Sequence, residues 1–213
     1  VIKEKRNNNS RVYVPPNFCP SCGGKTYKPK SEAIRRCLSG VNCPSQTVEK
    51  LKHFVSKNAF NIEGLGDKLI VMLFKEKIIN DFSDIFKIYR YKDFLEKREG
   101  LGKLSVSNLL NSIESKKRIP LDKLIYALGI KQIGENNAKL LALNYNSFEN
   151  FCNEMEKAND KLSDSFQKLV SIDQIGENIA EDIILFFNTS YNLIMLKELL
   201  NYIKIENVEQ KLI

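Results

Sequence analysis

Residues 61–69 read NIEGLGDKL, and the pattern in them returns three more times along the chain. It comes back as REGLGKLSVSNLLNSIES from Arg98, as IKQIGENNAKLLAL from Ile130, and as IDQIGENIAEDIILFF from Ile172. The shared form is a glycine or glutamine, an apolar residue, a glycine, and then a stretch whose apolar residues recur at helical spacing. The last glycines of the four units, Gly66, Gly102, Gly134 and Gly176, lie 36, 32 and 42 residues apart. An internal repeat of this length fixes the architecture before any other feature is weighed. Each unit predicts two helices joined by a tight turn. The apolar residue (Leu65, Leu101, Ile133 or Ile175) plugs the gap between them. The expected fold is therefore mainly α.

One such element alone reads as an ordinary αα-hairpin with a glycine turn. Four in a row favour helix–hairpin–helix motifs that bind DNA. The second glycine lets a partner come close to the backbone, and the helix that starts there offers unpaired N–H groups and a positive dipole end. Such a site grips a phosphate and reads no sequence. The expected DNA-contacting residues are Gly64, Gly66, Lys68, Gly100, Gly102, Lys103, Gly134 and Gly176. Gln132 and Gln174 stand where the first glycine would be, so the third and fourth turns are the weaker expectations. Asp67, Glu135 and Glu177 suit the helix dipole but oppose a phosphate.

Upstream lies FCPSCGGKTYKPKSEAIRRCLSGVNCPSQ, residues 18–46, which holds four of the five cysteines: Cys19, Cys22, Cys37 and Cys43. Their spacing is C-x2-C-x14-C-x5-C. Two disulfides in a small secreted domain would be one reading. The chain has 213 residues and is 43% hydrophobic, so it builds cores without staples. A structural zinc ion held by two thiolates from each of two turns fits better, with Gly23-Gly24 and Gly40 as turn formers. Four protein ligands leave no open position, so the site folds the segment and does no chemistry. Arg35 and Arg36, just before Cys37, face an even choice between phosphate contact and surface solubility. His53, the single histidine, and Cys152, spaced with Phe148, Phe151 and Met155 on one helical face, read as structural.

The chain carries 33 Lys plus Arg against 26 Asp plus Glu. Residues 1–60 hold twelve basic and three acidic residues, whereas residues 61–213 are near balance. That asymmetry reads as evenly for a polyanionic partner near the cysteine segment as for a solvated lysine-rich surface. No apolar run of about eighteen residues occurs, and no membrane association is expected. Residues 1–18 read as two extended pieces, VIKEKR and RVYVPP, stopped by Pro15 and Pro16, as if the chain starts inside a preceding domain.

The finger, then LKHF, NIEGLGDKL, EGLGKLSVSNLLNSIESKK, ALGIKQIGENNAKLLA and IGENIAEDIILFF, in that order, resembles the C-terminal half of bacterial NAD-dependent DNA ligases from about residue 1 to 200. The resemblance implies the end of an OB-fold at 1–14, a four-cysteine zinc finger at 15–47, a domain of four helix–hairpin–helix motifs at 48–200, and a linker toward a BRCT domain at 201–213. It implies a monomer in the bacterial cytoplasm, associated with the nucleoid, that serves replication and repair. The partners would be nicked duplex DNA and the remaining ligase domains in cis. Zinc would sit in this chain, and NAD and magnesium in other domains. The family's adenylated lysine lies in a K-x-D-G motif, and no Lys-x-Asp triplet occurs here, so no catalytic residue is expected and the chain alone should be inactive. Two rivals stay open. One is a helix–hairpin–helix repair glycosylase, with Asp81 or Asp84 as its acid. The other is a module that binds protein.

Overall fold

The computed structural model describes residues 4, 11, 13–29 and 34–208. The expected OB-fold remnant at 1–14 lies largely outside the described residues. Two compact units divide the chain, residues 1–47 and 48–213.

The first unit has little regular structure. Strands β1 (Thr26–Tyr27) and β2 (Arg36–Cys37) pair antiparallel, and a bridge joins Phe18 to Lys25. A 3-10 turn spans Gly40–Asn42. Its described apolar residues are mostly exposed, and Cys43 is the one buried. A unit with so small an apolar interior needs another source of folding free energy.

Helix α1 (Pro44–Val55) opens on proline, whose missing N–H costs nothing in a first helical turn. It turns Leu51, Phe54 and Val55 inward. Ten helices follow in the second unit. They are α2 (Asp67–Lys75), α3 (Phe82–Ile85), α4 (Lys92–Glu96), α5 (Lys103–Ser115), α6 (Leu121–Ala127), α7 (Glu135–Tyr145), α8 (Phe148–Lys157), α9 (Asp164–Val170), α10 (Glu177–Phe187) and α11 (Ser190–Leu200). One hydrophobic core runs through them from Leu51 to Ile203. Near its start Phe54 stacks on Phe60 and Phe82, with ring centroids 4.1 and 4.2 Å apart, and meets Phe86 edge-on. Tyr145, Phe151 and Phe187 form a second aromatic contact, each neighbouring pair 5.1 Å apart. Such pairs add about 0.5–1.5 kcal/mol each beyond the area they bury. No single helix among the described residues is long and apolar enough to cross a membrane.

The helical unit does not stop at residue 200 as the sequence suggests. Strand β4 (Lys204–Glu206) pairs in parallel with β3 (Arg118–Pro120), and Ile203 is buried. The amide of Val208 donates to the carbonyl of Asn146 at 2.9 Å. Residues 201–208 are thus folded onto the unit by backbone pairing and two isoleucines, Ile203 and Ile205, and do not form a linker. Residues 209–213 lie outside the described residues.

Candidate nucleic-acid interface and metal centre

Each of the four repeats forms the same turn. Leu65, Leu101, Ile133 and Ile175 donate their amides to the carbonyls of Ile62, Arg98, Ile130 and Ile172, closing a four-residue loop. The third residue of each loop has positive φ, the mark of a type II turn. It is Gly64 at 85° and Gly100 at 81°, but Gln132 at 65° and Gln174 at 64°. The glutamines therefore take the left-handed conformation that glycine takes freely, at a strain of about 1–2 kcal/mol each. The hairpins that looked weakest in the sequence have the same backbone as the others. Burial of Ile133 and Ile175 fixes the turn despite the missing glycine.

The next glycine caps the following helix. Gly66, Gly102, Gly134 and Gly176 have φ between −79° and −87°, a conformation open to any residue. Each carbonyl accepts the first helical hydrogen bond, from Ile70, Val106, Ala138 and Ala180, at 3.0 Å. A Cβ built on any of the four meets no protein atom within 4 Å. Neither conformation nor internal packing therefore asks for glycine at these positions. Three helices are capped by side chains, with Asp81 before α3, Ser147 before α8 and Ser163 before α9, whereas α4, α6 and α11 start on Tyr91, Pro120 and Thr189 without one. At the four hairpins no side chain caps the helix, and the amides of the first two helical residues have no acceptor among the described residues. The arrangement leaves four exposed clusters of N–H donors at positive dipole ends, with no side chain in front of them.

The hairpins are not electrically equal. Asp67 sits 3.6 Å from Lys52, and Glu135 takes Asn58 at 2.8 Å and Lys123 at 3.7 Å. These partners draw off part of the negative charge at the first and third turns. The second turn begins its helix with Lys103 and has no acidic residue in the first helical turn, so of the four helix starts it opposes an anion least. Lys68 and Lys103 are both exposed, as an anion-contacting role requires.

The hairpins also pair in a way the sequence does not announce. The first packs on α5, which follows the second: Glu63 donates its amide to Ser112 at 2.8 Å, and Gly64 lies against Leu109. The third packs in the same sense on α10, which follows the fourth. Gln132 donates to Asp182, and Lys131 lies 3.5 Å from the same carboxylate. No local signal in the sequence reveals this exchange, because the partners are dozens of residues apart.

In the first unit the sulfurs of Cys19, Cys22, Cys37 and Cys43 all lie within 4.8 Å of one another. Cys22 and Cys37 are 3.5 Å apart and Cys19 and Cys43 3.8 Å. Tetrahedral zinc with Zn–S bonds of about 2.3 Å needs sulfurs about 3.8 Å apart, so the four residues fit that ion. The Ser39 hydroxyl, 3.4 Å from the Cys22 sulfur, and the Gly24 amide pull the Cys22 thiol down to about 6, toward the thiolate a metal requires. A Cβ on Gly24 would come within 1.9 Å of the Ser39 Oγ and 3.3 Å of the Cys22 sulfur, so the serine hydroxyl would have to turn away. Gly24→Ala is accordingly expected to displace Ser39 and weaken metal retention, read as faster metal loss to a chelator. Retention equal to the unaltered chain would contradict this account of the glycine.

The other candidates lie as follows. Arg35 donates to Asn17 and to the carbonyl and hydroxyl of Thr26, tying the finger together, while Arg36 on β2 is exposed. His53 Nε2 lies 2.7 Å from the carbonyl of Tyr126, against Gly129. Burial pushes the Cys152 thiol up to about 12, which makes it inert. Asp81 accepts from the amides of Ser83 and Asp84, and Asp84 accepts from Asn80 and Asp81 and pairs with Lys87 at 3.1 Å. Both carboxylates that a glycosylase would call on are thus spent on capping α3.

A model described as a helix-hairpin-helix motif matches residues 123–196, the third and fourth hairpins. The DNA ligase of Rickettsia bellii (strain OSU 85-389) is 41% identical over 210 residues, covering 97% of this chain and 30% of that protein. The DNA ligase of Pelobacter propionicus is 39% identical over 220 residues, covering 97% of this chain and 31% of the relative. That of Afipia carboxidovorans is 46% identical over 162 residues, covering 74% and 23%. The chain therefore spans under a third of the length of these curated relatives. The matches are consistent with a C-terminal segment of a bacterial DNA ligase.

Proposed function

We propose that this chain, similar over 97% of its length to bacterial DNA ligases, is the part of such an enzyme that holds nicked duplex DNA by its phosphates. The observation that carries this reading is the set of four N-cap glycines that nothing inside the protein requires. A residue without a side chain, placed before free amides at a helix start, serves a partner that comes close from outside. A phosphodiester backbone supplies the charge, and such contacts position a duplex whatever its sequence. The protein-binding reading leaves the repeated bare amides without use, and the glycosylase reading finds its acids occupied.

In this account the finger binds one structural zinc through Cys19, Cys22, Cys37 and Cys43, and that ion supplies folding free energy only. Adenylyl transfer from NAD with magnesium, and closure of the phosphodiester bond, belong to residues outside this chain. The chemistry needs a lysine of lowered pKa as nucleophile. This chain contributes position: holding the two ends of a nick at reacting distance lowers the entropic part of the barrier. We place it as a monomer with the other ligase domains in cis, in the bacterial cytoplasm on nucleoid DNA, in replication and repair.

The test uses radiolabelled NAD, magnesium and nicked duplex. The chain alone should acquire no label and seal nothing. Added to a separately expressed adenylation portion of a related ligase, it should raise the sealing rate, and the gain should shrink as salt rises. A labelled chain, or sealing equal with and without it, would overturn this division of roles.

A further inference from the structure

Strands β3 and β4 join two distant segments through a parallel register in which Arg118 faces Lys204. The tie is firm: the amide of Lys204 donates to the carbonyl of Lys117 at 2.6 Å. Ile119 and Ile205 turn toward the core, so Arg118 and Lys204 share the outward face and both are exposed. Neighbouring strands lie about 4.8 Å apart, and like charges directly opposite one another are destabilising. Neither residue has a carboxylate partner among the described residues. The one acid on that face of the two strands is Glu206, which stands opposite Pro120. Lys117 is already matched to Glu114 at 2.7 Å.

Beyond the strands the signs are mixed. Tyr202, two residues before Lys204, lies under Lys87, whose Nζ is 5.3 Å from its ring centre. Lys87 pairs with Asp84 and also faces Asp81. Arg118 and Lys204 thus stand as two cations side by side with no carboxylate bonded to either among the described residues, on elements that carry none of the four hairpin turns.

We propose that Arg118 and Lys204 form a second contact surface for the phosphodiester backbone of duplex DNA, separate from the hairpins. The phosphate removes the repulsion between Arg118 and Lys204 by sitting between them, and the Arg118 guanidinium offers it a planar pair of donors. The inference rests on the DNA-binding reading above and adds a location to it.

The experiment measures binding of nicked duplex by fluorescence anisotropy over a salt series, for the unaltered chain and for R118Q/K204Q. Each phosphate that a variant no longer neutralises lowers the slope of log affinity against log salt by about 0.9. Losing the one phosphate that Arg118 and Lys204 share should cost the double variant about 0.9 of slope, so its deficit grows roughly threefold between 200 and 50 mM salt. R118K should keep the slope, and K157Q, which removes a lysine already paired with Glu154, should not change it. Equal thermal melting of all variants separates weaker binding from a damaged fold. If the unaltered chain binds DNA and R118Q/K204Q keeps its slope, this surface serves solvent or an acidic protein, and the proposal is overturned while the hairpin reading stands. If the unaltered chain shows no salt-dependent binding, both fall together.

Discussion

Cys37→Ser is expected to strip the finger of its metal and unfold residues 15–45, while the far-ultraviolet circular dichroism of the helical unit persists. The expectation follows from what holds each unit. The first has two strands of two residues each and, among its described residues, one buried apolar side chain, Cys43, which belongs to the candidate metal site itself. In small zinc units the ion contributes on the order of 10 kcal/mol, far more than any other interaction available there. Serine supplies a weaker ligand and leaves three thiolates. The second unit has a continuous core from Leu51 to Ile203 and no use for the ion. Metal content by atomic absorption, with protease susceptibility of the finger, reads the result. A variant that keeps one equivalent of zinc, or freshly purified unaltered chain that holds none, contradicts the assignment.

Gly102→Ser should separate stability from binding. Serine is a strong N-cap and improves on glycine by a few tenths of a kcal/mol, because its hydroxyl accepts from an amide of the first turn. The site has room for it, since nothing lies within 4 Å of the added Cβ. The melting temperature should therefore hold or rise slightly. The same hydroxyl occupies the donors a phosphate would use, and the Cβ stands where the phosphate approaches. Hydrogen bonds to a charged group are worth about 1.5–3 kcal/mol, so affinity should drop about tenfold or more. The second hairpin should show the largest effect of the four, since Lys103 supports the anion there and no carboxylate opposes it. Binding that survives in a variant of unchanged fold would mean that the glycine serves something else.

The helical architecture is legible in the sequence because the repeat is strong and every hairpin keeps its apolar plug. The cysteine cluster is legible from spacing alone, since four thiols in one short stretch leave few alternatives. Gln132 and Gln174 mislead for a physical reason. Propensity disfavours glutamine at positive φ, but burial of Ile133 and Ile175 outweighs that cost, and tertiary packing leaves no trace in a local motif. Strand β4 gives no signal of its own because KIE is three residues long and pairs with a segment far upstream. For the same reason the sequence could show neither the facing of Arg118 and Lys204 nor the packing of one hairpin on the helix of the next. Arg35 is an even choice in the sequence, which could not show its three donations to Asn17 and Thr26.

The most direct test of the central claim acts on the hairpins alone. Gly66, Gly102, Gly134 and Gly176 are replaced together by serine, and affinity for duplex DNA at one fixed salt concentration is compared with that of the unaltered chain, at matched melting temperature. Hydrogen bonds to a charged group are worth about 1.5–3 kcal/mol, so loss of the contact at the turns predicts a fall in affinity of well over tenfold, the same on any duplex sequence. Unchanged affinity in the folded quadruple variant would contradict a backbone grip by these four turns.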